Sequence, residues 1–367
     1  MSIILGVFEE GLVYAIMALG VYITYKILDF PDLSVDGTFP LGGAVTVTLI
    51  LAGVNPVLTL FAAFAAGVLA GCVTGFIHVK LKVRDLLSGI IVMTALYSVN
   101  LRVAGKSNVP IFNSDSIFEN GFVSRMFPDS ISNFIVVIIL AVIVILVKLL
   151  LDLYLKTRSG YLLRAVGDND TLVTSLAKDK GMVKIVGLAI ANGLAALAGS
   201  VYCQQKGFFE ISMGTGTIVI GLANVIIGTK LFKRVGFVKS TTAVVIGSII
   251  YKGCVSLAIY LGLEASDLKL ITAALFLVIL VLIRGLQPDH KGPPVRLRGR
   301  KQRLRQDLHV KYYLRKHSVG QRAHHHRRKR HNQHAGIQTS APYRPRVPES
   351  GHGNVSPHDN TGEYGPG

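Results

Sequence analysis

Successive apolar runs of bilayer-spanning length constrain this chain more than any other feature. They fall roughly at 4–25, 39–54, 57–79, 86–104, 132–154, 183–203, 214–229, 240–262 and 268–284. A spanning helix needs about 18–20 predominantly apolar residues, and several runs reach that length. In lipid, only helices and closed barrels satisfy every backbone donor and acceptor. The runs lack the period-two alternation of barrel strands, so helices are expected. Composition agrees: half of the residues are hydrophobic, well above the usual share in a soluble domain. The expected fold is therefore all-α, a polytopic membrane protein with about nine transmembrane helices. The count becomes eight to ten if 86–104 or 214–229 is re-entrant or broken.

Charge divides the chain in two. Residues 288–367 hold 17 of the 39 Lys and Arg, 5 of the 21 acids and 10 of the 11 histidines. A transmembrane domain over 1–287 and a basic tail over 288–367 follow. Lys and Arg in short loops mark the cytoplasmic side. Lys80, Lys82 and Arg84 mark one such loop; Arg158, Arg164, Lys178, Lys180 and Lys184 a second; Lys230, Lys233, Arg234 and Lys239 a third. The loop at 105–131 has only Lys106 and Arg125 against three acids and faces outward. The N-terminus is then outside and the C-terminus inside, in the cell membrane. The opening MSIILGVFEEGL has neither a basic flank nor a small-residue cleavage site, so a first span is expected there, not a leader. Cys72, Cys203 and Cys254 lie in apolar segments and read as buried small side chains, not disulfides.

Four polar segments interrupt the apolar pattern. In LDFPDLSVDGTFPLGGA, residues 28–44, Asp29, Asp32 and Asp36 accompany Pro31 and Pro40 between two spans. Irregular backbone at membrane depth requires a protein or watery surround, and carboxylates there are costly. The acids thus read as groups lining a cavity or facing a partner surface, or else as solvated acids of a cytoplasmic turn. On 86–104, Thr94, Tyr97 and Leu101 form one stripe, with Asn100 and Arg102 near the outer end. These side chains line a path or hydrogen-bond between helices. At 204–228, Gly214, Gly216 and Gly221 allow a break or a close approach. A helix starting near Gly214 would present free amides suited to a carboxylate. The alternative is tight helix packing.

The fourth segment, TRSGYLLRAVGDNDTLVTSLAKDKG at 157–181, is polar and basic between two apolar runs. Positive-inside topology explains its arginines but not its Gly and Asn spacing. Thr157, Arg158, Gly160, Arg164, Ala165, Gly167, Asn169 and Gly181 resemble the coupling segment of ABC-importer permeases. Together with DFPDLSVDGTFPLGGA, SGIIVMTALYSVNLR and GTGTIVIGLANVIIG, it resembles type II permeases of the branched-chain amino acid and ribose class over about 5–285. The subgroup of tryptophan/tyrosine-type amino-acid permeases is the nearest in pattern. The resemblance implies a homodimeric permease, a cytoplasmic ATPase dimer carrying ATP and Mg, and a lipid-anchored or periplasmic binding protein. It implies ATPase coupling through Gly160, Arg164, Ala165, Gly167, Asn169, Asp170 and Gly181. The candidate translocation path is Asp29, Asp32, Asp36, Thr94, Tyr97, Asn100, Gly214 and Gly216. No catalytic residue, metal site, resident cofactor or nucleic-acid partner is expected. An aromatic amino acid is the implied cargo.

The tail departs from that family. Residues 288–367 are dominated by Arg, His, Pro and Gly without apolar periodicity, so disorder is expected. HHHRRKRH at 324–331 suits anionic lipid, RNA or a metal. Read one base out of register, 297–307 permits the phosphate-cradling loop S-V-V-G-S-N-G-S-G-K-T of an ATPase. Gln321 to Asn332 permits S-G-H-I-I-I-D-G-K-D-I-T, and 345–350 permits R-V-F-Q-N-P, in the order of that protein. A frameshift into a neighbouring ATPase gene is the reading this supports. The competing class for the whole chain is an ATPase-independent secondary transporter or channel, marked by buried mid-span charges and inverted repeats.

Overall fold

A computed structural model describes residues 2–120, 132–168, 180–232 and 238–262, with scattered residues between 270 and 281. The tail at 288–367, with the expectations placed on it, lies outside the described residues. The helices are α1 (Ser2–Val21), α2 (Val35–Leu51), α3 (Pro56–Lys80), α4 (Asp85–Ala104), α5 (Ser132–Tyr154), α6 (Arg158–Asp168), α7 (Lys180–Lys206), α8 (Thr217–Leu231) and α9 (Ser240–Tyr260). Among the described residues, seven segments are long and apolar enough to cross a membrane, and α2 is a shorter apolar helix. Eight of the nine expected runs are thus helical among the described residues.

Helix α7 is the centre of the body. It packs on α3, α2 and α1, and both Leu188 and Asn192 are fully buried. Close approach is possible because α3 presents Gly67, Gly71 and Gly75, four residues apart, to the α7 backbone. Gly42 of α2 and Gly199 of α7 likewise rest on backbone carbonyls, of Ala196 and Phe39, where no Cβ would fit. Helix α1 lies against α7, α8, α9 and α5, which explains why most of its length is buried.

Three departures from the sequence reading have local causes. The body is helical as expected, with one short addition: β1 (Asn108–Pro110) pairs antiparallel with β2 (Phe208–Glu210). Two outward loops meet there, and Val109 and Phe209 bury against Ala44, Val47, Ile50 and Cys203. Pro40 does not break the backbone but sits inside α2, so the break is confined to the residues before Val35. A proline costs a helix one donor, here the bond to the Asp36 carbonyl. Gly214 packs against that carbonyl and the proline ring. Finally, α1 ends in a widened π turn, Tyr22–Ile27, in which Leu28 N–H donates to Ile23 O at 2.9 Å.

Candidate functional site

Helix α6 follows directly from the sequence TRSG. Thr157 ends the turn after α5 and caps α6, its Oγ1 accepting from Gly160 N–H at 3.3 Å. Such a cap contributes about 1 kcal/mol. Gly160 is buried against the Tyr154 carbonyl and Leu155, so the corner between α5 and α6 is tight. Leu163 and Val166 turn inward and are buried, while Arg158, Tyr161 and Arg164 remain exposed at three-residue spacing. Burying such side chains contributes about 1.5–3 kcal/mol each. The inward face rests on the π turn: Gly167 seats against the Ile27 carbonyl, with no space for a Cβ. Leu163 and Leu28 both pack over Gly187 of α7. Ala165 packs on the same core, and Gly181 is buried at the start of α7. Asn169 and Asp170 lie outside the described residues.

The second polar centre is built where α2 and α8 begin. Helix α8 has 15 residues, a rise of about 22 Å. The hydrocarbon core is about 30 Å thick, so with its Lys230 end inside, its N-terminus starts within the bilayer. Gly216 takes φ +83°, a left-handed conformation natural to glycine, and lets the chain turn into the helix. The free amides expected there are occupied. Asp36 accepts from Gly216 N–H at 3.0 Å, Ile218 N–H at 2.7 Å and Thr217 Oγ1 at 2.9 Å. Asp32 is held just before α2: Ser34 N–H and Oγ donate to its Oδ1 at 2.9 and 2.6 Å. Asn192 of α7 donates to the other oxygen at 2.7 Å and accepts from Ser34 and Thr38. Both carboxylates are thus stabilised in low dielectric by direct donors, and Asp36 by the N-terminus of α8 as well. Asn100 joins this seam by donating to the Gly37 carbonyl at 2.9 Å.

Comparison with known proteins decides the family. Residues 3–283 match the family described as "Branched-chain amino acid transport system / permease component". A "Tyrosine transport system permease protein" of Clostridioides difficile is 46% identical over 280 residues, covering 76% of this chain and 91% of that protein. An uncharacterized protein of Rickettsia prowazekii, RP368, is 32% identical over 77% of this chain and 99% of its own length. The ribose import permease RbsC of Escherichia coli is 25% identical over 76% and 84%. The chain belongs to this permease family. It is a multi-pass permease component of an ABC importer in the plasma membrane.

Within the permease, the candidate path residues separate into three places. Asp32, Asp36, Asn100, Gly214 and Gly216 come together in the polar seam, with Asp32 and Asn100 fully buried. Gly214 packs on Pro40, in line with the packing alternative. Thr94 and Tyr97 lie instead on the exposed face of α4, where Thr94 donates to Ile90 and Ile91 carbonyls of its own helix. Asp29 sits apart at the cytoplasmic end, lining a cleft of about 250 Å³ with Tyr25, Lys26, Ile27 and Gly167. Two functional-looking residues escaped the sequence reading. Asn192, the hub of the seam, was visible only as a lone carboxamide in the run AIANGLAALAG. Lys252, a lone cation in the run 240–262, pairs with Glu10 at 2.9 Å.

Proposed function

We propose that this permease subunit imports an amino acid with an aromatic side chain, and that α6 receives the stroke of a partner ATPase. The observation that supports the cargo is the 46% identity to a protein named for tyrosine transport, across nearly that protein's full length. The support for coupling is geometric. Helix α6 is short, capped and wedged by Leu163, Val166 and Gly167 against α1 and α7, while Arg158, Tyr161 and Arg164 face outward. Such a helix transmits displacement to the bundle because little soft side-chain material lies between. ATP and Mg belong to the partner, and the permease itself carries out no chemistry. A second permease copy completes the pathway, with the exposed α4 face carrying Thr94 and Tyr97 as its lining. A binding protein delivers the amino acid from outside. The basic tail from 288 onward is, on this reading, a frameshift product and no part of the transporter; the nucleotide sequence tests that separately.

The test is reconstitution of the permease with its ATPase and binding protein in vesicles, with labelled tyrosine as the probe. Uptake is expected to require ATP. Arg164→Glu is expected to reduce ATPase co-purification and uptake together while membrane insertion is unchanged. Uptake driven by an ion gradient without the ATPase would overturn the proposal, as would undiminished transport by the Arg164 variant.

A further inference from the structure

The cytoplasmic end of α1 and the membrane-depth start of α8 are joined by one short stretch of chain. At its lower end, Gly167 of α6 bears on the Ile27 carbonyl, so backbone meets backbone. The π turn above that contact is wide: besides Leu28, Phe30 N–H reaches back to the Thr24 carbonyl at 2.9 Å. Such widened turns are rare and recur at functional sites. The open cleft beside Tyr25, Lys26 and Asp29 leaves room for this one to shift. Asp29, at φ +53°, holds a left-handed conformation that costs most non-glycine residues energy and Asp less than most.

From there the chain is guided at every step. The Phe30 ring stands edge-on to His78 at 5.0 Å. Asp32 is bonded through both oxygens, to Ser34 and Asn192. Four residues on, Asp36 holds the α8 N-terminus by three bonds. Among the described residues α6 bears on the π turn and α7, and the π turn in turn also packs against α8.

We propose that residues 22–36 are the transmission segment of this permease. Displacement of α6 is taken up by the π turn and delivered through Asp36 to the start of α8. Asp36 is therefore a positioning residue for transport, acting on α8 and not on the cargo. This rests on α6 being the ATPase contact.

The experiment measures ATP hydrolysed per tyrosine imported, in vesicles containing the complete importer. Asp36→Ala removes the cap and is expected to raise that ratio by at least about fivefold, the lower end of typical coupling between sites. Asp36→Asn keeps the Oδ1 bonds and, as a good cap, is expected to recover most of the loss. Gly167→Ala presses on the Ile27 carbonyl without touching α8 and is expected to raise the ratio as well. It serves alone if Asp36→Ala fails to assemble. An unchanged ratio in either Ala variant, with ATPase still bound, overturns the proposal. So does a proportional fall of hydrolysis and uptake in Asp36→Ala that leaves the ratio untouched. Failure of the docking reading is distinct: there Arg164→Glu would retain both ATPase and uptake.

Discussion

The two ends of α1 are held by different physics. At the outer end Glu10 accepts from Lys206 at 2.7 Å and Lys252 at 2.9 Å, and Glu9 accepts from Gln205 at 3.0 Å. Lys252 also stands over the Tyr14 ring, 4.3 Å from its centre. At the inner end, α1 loses regular helix geometry, and the contact with α6 is made by a carbonyl and a glycine. Charges paired in low dielectric resist separation, because each would be left with its desolvation penalty. A widened turn beside an open cleft yields more easily. The contrast suits a helix that is fixed outside and driven from inside.

The outer tie is the place to break this contrast most severely. Glu10→Gln leaves Lys252, only 6% exposed, without its anion. Removing one partner of a buried pair costs about 3–5 kcal/mol, and because the Glu10 side chain is 34% exposed the lower end of that range is expected, read as a fall in thermal stability in detergent. Adding Lys252→Met should return part of that loss, because the orphaned cation is gone. A double variant no more stable than the sum of its singles would show that the two groups act independently, and that the outer end is not pinned in this way.

Between the ends lies the seam, and Asn192 sharpens the comparison there. Asn192→Ala removes the donor to Asp32 and the acceptor shared by Ser34 and Thr38. A buried group left unsatisfied costs about 1–3 kcal/mol, but Asp32 and Ser34 keep their bonds to each other and Thr38 keeps its bond to the Ser34 carbonyl, so only part of that cost applies. The expected result is a stability loss smaller than that of Glu10→Gln, read in the same unfolding assay. A larger loss would place the main anchor of the bundle at its middle instead of at the outer tie.

Much of this architecture was legible in the sequence because lipid leaves few alternatives. Apolar length anticipated eight of the helices among the described residues. The glycine spacing of 157–167 marked the segment as more than a charged loop, and Gly160 and Gly167 occupy sites with no room for a side chain, which its pattern alone did not show. The carboxylates of 28–44 were visible as costly groups, but not their partners. Asp36 meets residues about 180 positions away, and no local pattern encodes such a pairing. The same holds for Lys252, and Glu10, conspicuous with Glu9 as a charge in the first span, had no visible partner until α1 and α9 are packed together. The α8 amides looked free because sequence alone does not show which of several acids reaches them. Thr94 and Tyr97 looked like path residues from their stripe, but a stripe has two destinations. Within one chain theirs is the exterior.

The smallest effect is expected at the inner end, where Asp29 holds φ +53°. A left-handed conformation costs an ordinary residue roughly 1–2 kcal/mol, less for Asp and nothing for Gly. Asp29→Gly relieves that strain but also loosens the unfolded chain, an opposing term of about 0.4–1 kcal/mol. The net change should therefore be within about 1 kcal/mol of zero, detectable as a shift of a few degrees at most. Asp29→Val, with a β-branched side chain forced into the same conformation, should be clearly less stable. The informative measurement is the ATP-to-tyrosine ratio of the glycine variant. If the inner end of α1 is the compliant end, relaxing its constrained residue should alter the ratio at nearly constant stability. Glu10→Gln should do the reverse, lowering stability more than it alters the ratio of the molecules that remain folded. Equal effects of the two changes on both quantities would mean that α1 moves as one rigid rod, with no difference between its ends.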